Sequence, residues 1–206
     1  LQKKLALTML GLMNILKKQR DAVGLSVFSD SYEYYAPEKG SDRHHRMLLN
    51  VLENLLENQT PKKTTDTVTY LHQIAEKMHR RSMILLFTDM FQSDEMNSSE
   101  EKLFAALQHL KHNKHKVVLF HVMDYKTELN FDFDSAPRRF VVLESGEEIA
   151  VFADTIKEFY EKKMQDYFEK VVMTCAQNKI KYIPVSVGEN FEKILTAYLI
   201  EKQNFG

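Results

Sequence analysis

Cys175 is the only cysteine in the chain. A single thiol excludes an internal disulfide framework and suits a reducing compartment. Because it stands among the apolar positions of a predicted helix, packing is expected of it, not reactivity. Long apolar runs are lacking too: nothing approaches the roughly 20 consecutive apolar residues that cross a bilayer. No membrane contact is therefore expected from this segment, and a cytoplasmic location is. Neither sign of charge is in excess, since 28 basic and 29 acidic residues leave a formal net charge of −1. Without a positive field to hold a polyanion, nucleic acid is not an expected partner. HExxH, a glycine-rich phosphate loop, a GxSxG elbow and a Cys/His dyad are all missing, so the catalytic classes they mark have no support. There is neither a signal peptide nor an initiator Met. The chain opens on LQKKLALTMLGLMNILKKQR, with Leu5, Met9, Leu12, Met13 and Leu16 already at helical spacing, and it is expected to be a piece of a longer protein.

What is present is an ordinary globular composition: 206 residues, 44% hydrophobic and 28% charged, enough for one sizeable core. One domain over 1–206 is expected. After the first helix, AVGLSVF (22–28) and SYEYYAP (31–37) read as a hairpin at a sheet edge, closed by Pro37. SDRHHRMLLNVLENLLE reads as an amphipathic helix with Ser41 or Asp42 as N-cap and Met47, Leu48, Val51, Leu52 and Leu55 on one stripe. The polar loop NQTPKKTTDT leads to a helix in which Val68, Leu71, Ile74, Ala75 and Met78 recur at three and four. Five apolar residues, Met83 to Phe87, then predict a strand buried on both faces. SSEEKLFAALQHLKHN predicts a helix capped by Ser98 or Ser99, and KVVLFHVMD a second buried strand. From Asp124 to Glu148 short extended pieces with ESGEE as a turn predict an inserted hairpin region, about 124–150. A helix from about Asp154 to Gln177, a strand KYIPVSV and a helix NFEKILTAYLIEKQ follow. Alternating strands and helices with β-branched, buried strands predict an α/β fold, a largely parallel central sheet with helices on both faces.

Such a sheet gathers its loops at the strand C-termini, and two of these carry oxygen. One is TPKKTTDT, with Thr64, Thr65, Asp66 and Thr67; the other is FTDM, with Asp89 ending its strand. Converging hydroxyl and carboxylate oxygens suit a hard cation such as Mg²⁺ or Mn²⁺. The plainer reading makes Asp89 a turn-capping carboxylate and Thr65 or Asp66 a helix N-cap. His109, His112 and His115 are three apart, and His109 with His112 could share a helix face, but no Cys or acid joins them. At a helix C-terminus they complement the dipole, as do KKQR (17–20) and the pair Arg80, Arg81. His44 and His45 point to opposite sides of any helix. Phe159, Tyr160, Tyr167 and Phe168 form an aromatic stripe read as core or interface packing.

RDAVGLSVFSDSYEYYAP, TTDT and ILLFTDM, in that order, resemble landmarks of a von Willebrand factor type A domain. More narrowly, LESGE followed by IAVFADTIKEFYEKKMQDYF is similar to the insertion and long helix of the domain-of-unknown-function family 58, and the likeness runs over nearly the whole chain. The resemblance implies a three-layer αβα sandwich of Rossmann-like topology, with its first strand missing from this fragment and expected upstream of Leu1. It also implies a metal-ion-dependent adhesion site built from a DxSxS loop, a Thr and an Asp. Thr65, with Thr64 as the near alternative, matches the second element and Asp89 the third; the DxSxS element is absent here. Lys62 and Lys63 stand where glycines are usual, and Met90 where Gly is. The implied function is protein binding, not catalysis: a Mg²⁺ or Mn²⁺ ion that an acidic client segment completes. The implied partner is a MoxR-type AAA+ ATPase in a chaperone-like system. The alternatives are a metal-dependent hydrolase or phosphotransfer domain using Asp89, and a structural interaction domain with a decayed metal site.

Overall fold

The computed structural model describes residues 2–28, 32–57, 67–79, 81–90, 96–112, 114–131, 138–141, 148–151, 153–186 and 192–203. Its helices are α1 (Gln2–Lys18), α2 (Asp42–Glu57), α3 (Thr67–Lys77), α4 (Met96–His112), α5 (Ala153–Gln177) and α6 (Glu192–Gln203). Its strands are β1 (Val23–Phe28), β2 (Tyr32–Lys39), β3 (Met83–Thr88), β4 (Lys116–Met123), β5 (Arg138–Val141), β6 (Glu148–Val151) and β7 (Lys181–Ser186). β3, β4 and β7 form a parallel sheet in the order β3-β4-β7, while β1 and β2 pair antiparallel, as do β5 and β6. With helices on both faces of the parallel strands, the architecture is the α/β sandwich that the alternation predicts.

Each element follows from local chemistry. Ser41 starts α2 as an N-cap, its Oγ accepting from the His44 N–H at 3.3 Å and so satisfying one of the free amides of the first turn. β4 is buried from Val117 to Met123, as its near-continuous apolar run requires of a central strand. Leu71, Ile74 and Ala75 of α3, Leu103, Leu107 and Leu110 of α4, and Val171 and Cys175 of α5 close over one face of the sheet. Leu12 of α1 with Ile194 and Tyr198 of α6 covers Val118 and Phe120 on the other. Among the described residues no helix is long and apolar enough to cross a membrane.

Several expectations need correction. β2 runs through Pro37 to Lys39 instead of ending there. Between the pairs Val23 with Lys39 and Leu25 with Ala36, two residues of β2 face the single Gly24: a β-bulge, where a residue with no N–H interrupts no ladder bond. Gly24 is needed there, since a Cβ would meet the Ala36 carbonyl oxygen at 2.9 Å. α4 begins at Met96, so Ser98 and Ser99 lie inside it and are not its caps. Residues Tyr125–Leu129 form one π-helical turn capped by Asp124, not an extended piece; the β5–β6 hairpin comes only after it, and ESGEE lies mostly outside the described residues. Phe159, at the head of the aromatic stripe, is exposed, with Lys163 Nζ over its ring at 5.6 Å from the centroid. His44 and His45 are both buried, His44 donating through Nε2 to the Val23 carbonyl at 2.8 Å.

The correction with the widest consequence concerns β3. Ile84 and Leu86 are buried, but Met83, Leu85 and Phe87 are only half-buried, and among the described residues the strand is paired on one side alone. Its free edge faces β1 across a cavity of about 490 Å³. Met9, Leu12 and Leu16 of α1 line one face of that cavity, and Leu71 and Ile74 of α3, with Met78 just after it, line it too. Three polar ties give the direction of the bordering strands. Lys202 at the end of α6 pairs with Asp21 just before β1, and its neighbour Glu201 pairs at 3.0 Å with Lys116, the first residue of β4. Glu38, near the start of β1 across the hairpin, accepts from the His79 backbone N–H at 3.1 Å, just before β3. β1, β3 and β4 therefore start at one end of the molecule and run the same way. Between β1 and β3 lies a largely apolar slot bordered by two strands that run the same way.

Candidate functional site

Asp89 directly follows β3, at the sheet edge where the C-termini of the parallel strands gather. Its side chain is exposed, and it is within electrostatic reach of Glu128 on the π-turn that follows β4. The backbone beneath it is held from three directions. Thr88 Oγ1 accepts from the Met90 N–H at 3.0 Å, closing a tight turn in which Met90 takes the left-handed conformation with φ 59°. Tyr167 of α5 donates its hydroxyl to the Met90 carbonyl at 3.3 Å. His121 of β4, wholly buried, lies 3.0 Å through Nε2 from the Asp89 carbonyl oxygen.

That last contact fixes the ring. A carbonyl oxygen can only accept, so Nε2 carries the proton, and in the neutral imidazole Nδ1 accepts from the Tyr182 hydroxyl at 2.8 Å. Burial pushes the imidazole down to about 4, against the opposing pull of its bond to Asp89. Phe168 and Tyr182 wall the ring, at centroid distances of 5.2 and 5.9 Å. Burial likewise drives the Tyr182 phenol well above its ordinary range, so it stays a donor.

Beside this turn sit two more acids. Asp124 caps the π-turn by accepting from the Lys126 N–H at 3.1 Å, and Tyr160 donates to the Glu128 carbonyl at 2.9 Å. Burial raises the Glu128 carboxyl above the ordinary carboxylate range, and the negative charges of Asp89 and Asp124 push the same way. Among the described residues, no group of three or more His, Cys, Asp or Glu side chains is arranged to hold a metal ion. The described part of the site thus supplies one exposed carboxylate, a donor whose chemistry fits a hard cation, on a turn with a fixed backbone. Thr64 and Thr65, with Asp66, Lys62 and Lys63, lie outside the described residues.

Of the spaced histidines, His109 meets His72 of α3, Nδ1 to Nδ1 at 2.9 Å, one ring donating to the other, while the side chain of His112 lies outside the described residues. His115 is buried at the start of β4 and accepts through Nδ1 from the Ser82 N–H at 3.1 Å. His121 was not among the residues the sequence singled out. Its signal was a lone polar ring in the run VVLFHVM, a position that demands partners once buried. A second groove of about 710 Å³ lies between α5 and β7 over Phe168, Tyr182 and Pro184.

The chain belongs to the family described as "Protein of unknown function DUF58", whose model matches residues 3–166. Among solved structures it is similar to the conserved hypothetical protein BatB from Bacteroides thetaiotaomicron, with a TM-score of 0.57 at 14% identity. That match covers 100% of this chain and 89% of the other, and at such identity it speaks for the fold alone. None of the curated proteins matches.

Proposed function

We propose that this chain is the larger part of a von Willebrand factor type A-like protein-binding module, acting in the cytoplasm and not catalytic. Its contact point is a Mg²⁺ or Mn²⁺ ion held by Asp89, by Thr65 or Thr64, and by oxygens from a loop that ends the strand filling the slot. The observation that carries this reading is the placement of Asp89: an exposed carboxylate on a clamped turn, at the C-terminal end of a strand that lines an apolar slot together with β1. A strand entering parallel to β1 and β3 would end beside Asp89 and bring its own loop there. A hard ion with one position left open would select an acidic side chain on the partner. No nucleophile and general base are paired among the described residues near Asp89, which is why binding is preferred to hydrolysis or phosphotransfer.

Mn²⁺ calorimetry on the protein extended upstream tests the ion. Binding that is lost in Asp89→Ala is expected; equal affinity in the two proteins would sink the metal site. The choice of a MoxR-type AAA+ ATPase as partner rests on family resemblance. Immobilised wild-type protein in Mn²⁺ is expected to retain such an ATPase from its native host, and to release it in chelator. A retained fraction lacking any AAA+ ATPase would overturn that choice.

A further inference from the structure

We infer that His121 is a positioning residue for Asp89, set in its working tautomer by Tyr182, so that the sheet-edge carboxylate is aimed from behind by β4 and β7. The inference rests on reading Asp89 as the contact carboxylate. Three observations carry it. His121 pairs laterally with Thr88 in the β3–β4 register, which places its ring beside the last residue of β3 before the turn. Its two nitrogens are both engaged, one on the Asp89 backbone and one on the Tyr182 hydroxyl, so the ring has no freedom to flip without losing both bonds. And the ring is wholly buried, where an unmade hydrogen bond is not replaced by water.

The turn needs such support. Met90 sits at φ 59°, a conformation that a side chain with a Cβ adopts only when its surroundings impose it. With the Asp89 carbonyl held by His121 and the Met90 carbonyl by Tyr167, both peptide units of the turn are oriented. The direction of the Asp89 side chain follows from its backbone. A phenylalanine at 121 would fill the space but remove the bonds that the ring makes to the Asp89 carbonyl and the Tyr182 hydroxyl. A glutamine can place its amide N–H near the position of Nε2 and keep the bond to Asp89.

The test compares Mn²⁺ affinity in the full-length protein. His121→Phe is expected to weaken binding by about tenfold or more, the usual size for removal of a group that orients a metal ligand, with His121→Gln close to wild type. Val118→Ala, in the same strand but buried against α1 and α6, supplies a variant that loses stability without touching the Asp89 turn; its affinity should be unchanged. Equal affinity in His121→Phe and wild type, with binding still lost in Asp89→Ala, would overturn the inference while leaving the metal site standing. If wild type binds no Mn²⁺, the metal reading fails by itself. The positioning role is then decided by nitrogen NMR, which should find His121 protonated at Nε2 only, and by hydrogen exchange at the Met90 amide, faster in His121→Phe. A proton at Nδ1, or unchanged exchange, would overturn it.

Discussion

His115 accepts a backbone N–H through Nδ1 while almost wholly buried, so protonating it would cost both the bond and the desolvation of a charge. Burial accordingly lowers its pKa from the ordinary value. The sign follows: below about pH 6.5 the unfolded chain takes up a proton that the folded chain refuses, so stability falls with pH, by up to about 1.4 kcal/mol per pH unit while the native ring stays neutral. His115→Asn keeps an acceptor near the Nδ1 position without a titrating ring. Urea midpoints measured from pH 7 to 5 should therefore fall less steeply in this variant than in wild type. Cys175 makes a second residue-level case. Burial pushes its thiol up to about 11, leaving almost no thiolate at pH 8. Alkylation of the native protein should be slow, and should accelerate only in denaturant. The sequence made the cysteine legible through its place on an apolar helix stripe. It could not show the roles of His115 and His121, because their partners lie 33 residues away for one and 32 and 61 for the other.

Elements were legible where periodicity is local. The stripes of α2 and α3, the buried run of β4 and the long α5 all read directly from spacing, whereas α4 began before its expected serine caps. The π-turn at Tyr125–Leu129 had no such signal: its Asn130 N–H reaches back five residues to the Tyr125 carbonyl, and Tyr160 of α5 holds it from outside. Contacts between elements also decide how α6 is fixed. Glu201 faces Lys116 at 3.0 Å and Lys181 at 3.8 Å with little exposure of its own, and Lys116 Nζ also donates to the Glu201 carbonyl at 2.7 Å. Glu201→Ala should cost roughly 1–2 kcal/mol, because it leaves the half-sheltered Lys116 without its carboxylate partner. Lys181→Ala, whose ammonium is largely in water, should cost under about 0.5 kcal/mol. Chemical denaturation of the two variants separates them.

At the scale of the whole molecule, the order of elements gave the layered α/β architecture. Half-burial of β3 was not legible, since its run MILLF looks the same whether one neighbour or two complete the sheet. The slot predicts how these 206 residues behave alone. They should bind an apolar dye, and an upstream extension that fills the slot should abolish that binding and raise the denaturation midpoint. Unchanged dye binding after extension would mean that the slot takes no strand. That Asp89 follows β3 is legible from the apolar run before it, but what holds its backbone was hidden, because the clamp comes from strands and a helix far along the chain.

The slot and the Asp89 turn lie next to each other, yet they would hold their occupants on different clocks. A strand bonded along both edges and roofed by α1 and α3 can leave only if a helix lifts away, so its residence time would be that of unfolding. A group meeting the exposed Asp89 turn leaves at the rate of an ordinary surface contact. One edge of this molecule would thus carry a permanent junction beside an exchangeable one, and a partner could come and go thousands of times without disturbing the strand that completes the fold.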